Sequence, residues 1–173
     1  MLGLLVIDVQ QAMFAATEPY DGRAMLGRIA NLISRARAAK APLFYVQHDG
    51  GPGDSFDKNG PGFAYMPEVA PLPGDSVTVK TRSSAFYETA LDLSLRAAGV
   101  DALVVCGLQT EYCVDTTVRS AFERGYRVTV ACDAHTTFDS ALLPATTIIA
   151  HTQHLWNGRF ARLELAEDVV LGR

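Results

Sequence analysis

The sequence predicts a three-layer α/β fold, a Rossmann-like parallel β-sheet with helices on both faces. Three observations predict it. Short apolar runs rich in β-branched residues alternate with segments of helical spacing. One run, Ala102 to Val105, is apolar throughout, as a strand covered on both faces must be. Residues able to do chemistry, Asp8, Lys80 and Cys113, stand just beyond apolar runs, at the strand ends where an open parallel sheet binds its ligands.

Taken in order, Leu2 to Ile7 is the first strand. Gly27 to Lys40 is a helix with Ile29, Leu32, Ile33 and Ala36 on one face, and Leu43 to Val46 is the second strand. Asp49 to Pro73 holds too many Gly and Pro for regular structure and exceeds an ordinary connection, which points to a lid or binding loop. Val77 to Val79 is the third strand, Glu88 to Ala98 a helix closed by Gly99, and Ala102 to Val105 the fourth strand. Glu111 to Arg124 is a helix ended by Gly125, and Val128 to Val130 the fifth strand. Ala141 to Leu155 reads as a helix despite its Thr146-Thr147-Ile148-Ile149 centre, and Ala161 to Leu165 as a last strand. With no repeat, linker or low-complexity tract, residues 1–173 read as one domain.

Composition narrows the classes of function. A chain of 173 residues buries about 70% of its unfolded surface, enough for a core. An apolar fraction of 49% and a charged fraction of 20% are ordinary for a globular protein. The net charge of −4 gives no footing for nucleic acid or an anionic membrane as partner. The apolar start is interrupted by Asp8, too soon for a signal peptide or membrane span, so a cytoplasmic location is expected. Cys106, Cys113 and Cys132 show neither disulfide nor zinc spacing and must be judged singly.

A carboxylate or an ammonium at the end of an apolar strand costs free energy to desolvate unless it is compensated, so Asp8 and Lys80 each need a partner and each could be the other's. Cys113 lies in the segment Gly107-Leu108-Gln109-Thr110-Glu111-Tyr112-Cys113. There Thr110 suits an N-cap, Glu111 the first turn, and Cys113 the third helical position. Amides at a helix N-terminus, with a lysine nearby, favour a thiolate and can hold an oxyanion. Cys106 and Cys132, inside or just past strands, read as packing thiols. Phe14, His48 and Tyr112 follow a strand end or adjoin Cys113 and are candidates for substrate contact. His135, His151 and His154 have no ligand spacing; the last two suit a helix face or a subunit contact.

These motifs resemble the isochorismatase-like cysteine hydrolases: the opening Leu4-Leu5-Val6-Ile7-Asp8-Val9-Gln10, the strand end Val79-Lys80, and Gly107 through Val114. The resemblance runs to about Ser140. It implies a triad of Asp8, Lys80 and Cys113, a cis peptide between Leu108 and Gln109, and an oxyanion hole made by the Gln109 and Cys113 amides. The nicotinamidase branch carries an Asp-x-His metal motif after its second strand, where this chain has Gln47-His48-Asp49-Gly50-Gly51. No metal and no cofactor are therefore expected. With the cysteine present, the resemblance implies hydrolysis of an amide or related C–N bond of a small molecule through a thioester, by a homo-oligomer, dimer or tetramer.

Alternatives remain open at this point. The chain could be a vinyl ether hydrolase of the isochorismatase type, or a family member that binds or scaffolds without catalysis. A phosphatase of the haloacid dehalogenase type would need a second aspartate two residues beyond Asp8, where Gln10 stands, and no nucleotide-binding glycine motif occurs.

Overall fold

The computed structural model describes residues 1–172. Its sheet has six parallel strands in the order β3-β2-β1-β4-β5-β6. They are β1 (Leu2–Ile7), β2 (Leu43–His48), β3 (Ser76–Lys80), β4 (Ala102–Leu108), β5 (Arg127–Thr136) and β6 (Arg162–Glu164). The helices are α1 (Ala12–Ala15), α2 (Gly22–Ala38), α3 (Leu91–Ala97), α4 (Asp115–Glu123) and α5 (Ala145–Trp156). β1 and β4 are neighbours but the chain leaves them in opposite directions, so the crevice of the fold opens at their carboxyl ends.

Period-two alternation divides the core. Leu4 and Val6 of β1 meet Met25, Leu26, Ile29, Leu32, Ile33 and Ala36 of α2 on one face. Leu5 and Ile7 point the other way, toward Leu91, Leu95, Val118 and Trp156 of α3, α4 and α5. Each aliphatic side chain fully buried in these layers contributes roughly 1.5–3 kcal/mol. The three-layer fold expected from the sequence is the fold observed.

Boundaries differ in instructive ways. α2 begins at Gly22, five residues before the expected start, because Met25 and Leu26 extend the same apolar stripe and Gly27 is tolerated between them. The helix expected from Glu88 begins only at Leu91, since Glu88 adopts φ +52. β4 runs on to Leu108 and β5 to Thr136, past the apolar runs that announced them. The loop from Asp49 to Pro73 contains two single 3₁₀ turns, Pro61–Phe63 and Pro67–Val69. Among the described residues no helix is long and apolar enough to cross a membrane.

Candidate active site

β1 and β4 converge through a glycine. Gly107 lies opposite Ile7 with φ +123, and a Cβ there would stand 2.0 Å from the Ile7 carbonyl oxygen. The two strand ends can approach only because that atom is missing. Directly after β1, Asp8 takes the left-handed conformation, φ +50, which aspartate tolerates better than most residues. Directly after β4, the Leu108–Gln109 peptide is cis and a π-helical turn, Thr110–Val114, leads into α4.

These turns bring together the ends of three strands. Lys80 Nζ lies 2.7 Å from Asp8 Oδ2, with both side chains fully buried. It donates to Cys113 Sγ at 3.2 Å and lies 3.5 Å from His48 Nδ1. Neither Asp8 oxygen has an aligned hydrogen-bond donor, so the carboxylate is compensated by charge while its capacity to accept a proton stays open. Burial raises the Asp8 pKa above the usual carboxylate range, and Lys80 pulls against that rise. Burial, then the Asp8 charge, pushes the Cys113 thiol up to about 12, with Lys80 opposing. The helix terminus and the lysine, which favour a thiolate, are outweighed here by desolvation and by the neighbouring acid. The resting cluster carries Cys113 as a thiol beside an acid that can take its proton.

A cavity of about 340 Å³ opens onto Cys113, lined by Asp8, Met13, His48, Asp54, Ser55, Phe56, Ser83, Gln109, Tyr112 and Cys113 itself. His48 is half-buried, edge-on to Phe56 at 5.7 Å, and its pKa is lowered by burial and by Lys80. Gln10, fully buried, fixes it: Gln10 Oε1 accepts from the His48 amide at 2.8 Å, and Gln10 Nε2 donates to the His48 carbonyl at 3.1 Å and the Phe63 carbonyl at 3.0 Å. Tyr112 stands at the mouth, 56% exposed.

Of the residues singled out in the sequence, Asp8, His48, Lys80, Gln109, Tyr112 and Cys113 meet at this cleft. Phe14 does not. It lines a separate depression with Gln11, Arg23 and Met66, where the Arg23 guanidinium lies 5.7 Å from its ring. Successive helical residues differ by about 100°, so in α1 the cleft receives Met13 and Phe14 is turned away. Thr110 is not a cap either; the turn starts from Gln109, and Thr110 Oγ1 lies 2.8 Å from His135 Nδ1.

That contact belongs to a buried network the sequence did not reveal. Gln153 Nε2 donates to the Cys132 carbonyl at 2.6 Å and approaches His135 Nε2 at 2.9 Å. A single amide group donating to both leaves Nε2 of His135 as acceptor and Nδ1–H as donor to Thr110. Trp156 Nε1 and Arg119 Nε both donate to Asp115 Oδ1, at 2.6 and 2.8 Å, just past the π turn. β5 and α5 thereby hold the turn that carries Cys113. The spacing of these residues in the chain carries no signal, because the network is assembled across the π turn, α4, β5 and α5. The cleft residues Asp54, Ser55 and Phe56 fall in the loop whose length had marked it. Among the described residues, no group of three or more His, Cys, Asp or Glu side chains is arranged to hold a metal ion.

An acid, a lysine and a thiol gathered at the switch point of a parallel sheet equip a class of α/β protein for nucleophilic chemistry. Comparison with known proteins is more specific. The isochorismatase domain matches residues 3–153, and the chain belongs to the isochorismatase family. It is 41% identical over 170 residues to a streptothricin hydrolase of Streptomyces noursei, covering 97% of this chain and 60% of that protein. It is 34% identical to a ureidoacrylate amidohydrolase of Methylobacterium radiotolerans, covering 76% of this chain and 65% of the relative. The chain thus spans about two thirds or less of the length of these relatives. The crystal structure of an isochorismatase from Pseudomonas putida KT2440 superposes with a TM-score of 0.93 at 31% identity, covering 98% of this chain and 90% of the other.

Proposed function

We propose that this chain, read as one domain over residues 1–173, hydrolyses an amide or related C–N bond of a small molecule, with Cys113 as the nucleophile. The observation that carries the reading is the position of Lys80 Nζ, 2.7 Å from Asp8 Oδ2 and 3.2 Å from Cys113 Sγ, beneath the floor of an open cavity that Asp8 and Cys113 line. The names of the streptothricin hydrolase and ureidoacrylate amidohydrolase relatives support the choice of bond.

Because the thiol is held above its ordinary range, its proton leaves during attack rather than before it. Asp8 takes that proton as the Cys113 sulfur bonds to the carbonyl carbon and the carbonyl electrons move onto oxygen. The Gln109 and Cys113 amides receive the oxyanion. Collapse breaks the C–N bond, with Asp8 returning its proton to the leaving nitrogen and a thioester left on Cys113. Asp8 then draws a proton from water, the hydroxide adds to the thioester, and the carboxylic acid leaves as the thiol re-forms. Lys80 keeps a counter-charge beside Asp8 and the sulfur throughout. His48 and Tyr112 bound the space for the substrate, and the working form is a homo-oligomer.

The test is a panel of amides, lactams, carbamoyl compounds and imides assayed for released ammonia or amine. Cys113→Ala should lose more than about 10³-fold in turnover, and the wild type quenched in acid should show the acyl adduct on Cys113 by peptide mass spectrometry. Turnover by Cys113→Ala equal to wild type would remove Cys113 as nucleophile.

A further inference from the structure

We propose that the cleft selects substrates bearing a cationic group, an ammonium or guanidinium beside the scissile amide, and that Asp54 makes the selection. The inference rests on the reading of this cleft as an amide-hydrolysing site. The acids lining the cavity are Asp8 and Asp54, and Asp8 is engaged with Lys80. The Lys80 ammonium is fully buried beneath the floor, between Asp8 and Cys113, and is not available to a substrate carboxylate. His48 is held toward its neutral form by burial and by Lys80. An anionic substrate group would therefore meet the Asp54 carboxylate, with no cation among the lining side chains to receive it.

The loop holds Asp54 in place. Its Oδ1 accepts from the Phe56 amide at 2.8 Å, its own amide donates to the Gly51 carbonyl at 3.2 Å, and the Gly50 amide donates to the Phe56 carbonyl at 3.3 Å. A Cβ on Gly50 would stand 2.3 Å from Asp54 Oδ1, so the carboxylate lies where only glycine admits it. Oδ2 makes no hydrogen bond or ion pair with the described residues. Phe56 and Tyr112 line the same cavity, and aromatic faces beside a carboxylate form a receptor for a cation. Of the nearby cations, Lys58 lies 3.9 Å from Asp49, and Arg82, next to Ser83, is exposed and not among the lining residues.

Three amides of matched length separate the possibilities: an ω-amino pentanamide, the monoamide of adipic acid, and uncharged hexanamide. Binding is read by NMR titration of the Cys113→Ala protein, and turnover by ammonia release from the wild type. The ammonium arm should bind about tenfold more tightly than the carboxylate arm, from an exposed charge pair reinforced by the adjacent rings. Asp54→Asn keeps the bond from the Phe56 amide, so it should bring that ratio close to one. Asp54→Lys should invert it. Equal or tighter binding of the carboxylate arm, or a ratio unmoved by Asp54→Asn, would overturn the assignment. A charge preference without turnover would leave this inference standing and count against the hydrolytic reading, whereas Cys113-dependent turnover without charge preference would do the reverse.

Discussion

Lys80→Met keeps the buried stem and removes the charge, so it measures what the ion pair does for the fold. In the native structure both side chains are 0% exposed and 2.7 Å apart. Burial already holds the Asp8 pKa high and Lys80 is the largest opposing cause, so the variant leaves a buried carboxylate without its counter-charge. Breaking such a pair costs about 3–5 kcal/mol, which for a domain of this size is a fall in Tm of roughly 10 °C. The sign with pH follows from the direction of the shift. Asp8 has a folded-state pKa above its unfolded value, and in the variant it rises further. The protonated form then favours the fold at pH below the unfolded pKa, and stability is lost as pH climbs through the folded value. Urea unfolding should find Lys80→Met weaker at pH 8 than at pH 5, relative to wild type. Asp8→Asn/Lys80→Met removes both charges and should recover at least about 2 kcal/mol of the loss, since asparagine also accepts the left-handed backbone at position 8. A cost below about 1 kcal/mol for the single variant, or a double variant no more stable than the single, would refute the view that Lys80 compensates Asp8.

Two further outcomes follow from the same geometry. Burial pushes the His135 pKa down from 6.5 to about 4, so its contribution is intact above pH 6.5 and fades as pH falls toward 4. By the standard conversion this is up to about 3 kcal/mol. Chemical unfolding between pH 7 and 4.5 should show this loss in wild type and a flatter profile in His135→Gln, and equal slopes would exclude His135 as the titrating group. Gly107→Ala drives a Cβ to within 2.0 Å of the Ile7 carbonyl oxygen at φ +123. It should cost about 3 kcal/mol or more and reduce Cys113-dependent turnover through the displaced strand ends. Thermal unfolding and turnover together check this, and a wild-type Tm would show that β1 and β4 can separate there without penalty.

The sequence by itself determined the layers of this protein and the places where chemistry stands. The unbroken apolar run Leu4, Leu5, Val6 and Ile7 serves both faces of a covered sheet, and that pattern is local, so it could be read directly. Asp8, Lys80 and Cys113 could be picked out because a strand end is a position in the chain. Tertiary structure decided everything that depends on direction or on contacts between distant segments. It turned Met13 rather than Phe14 into the cleft, since a single helical turn fixes which neighbour faces inward. It tied Thr110 to His135 and Gln153, residues from three elements, where the sequence suggested a helix cap. It also set the state of Cys113: helix terminus and lysine are visible in sequence and favour a thiolate, whereas the depth of burial and the distance to Asp8 are not visible, and these hold the proton on sulfur.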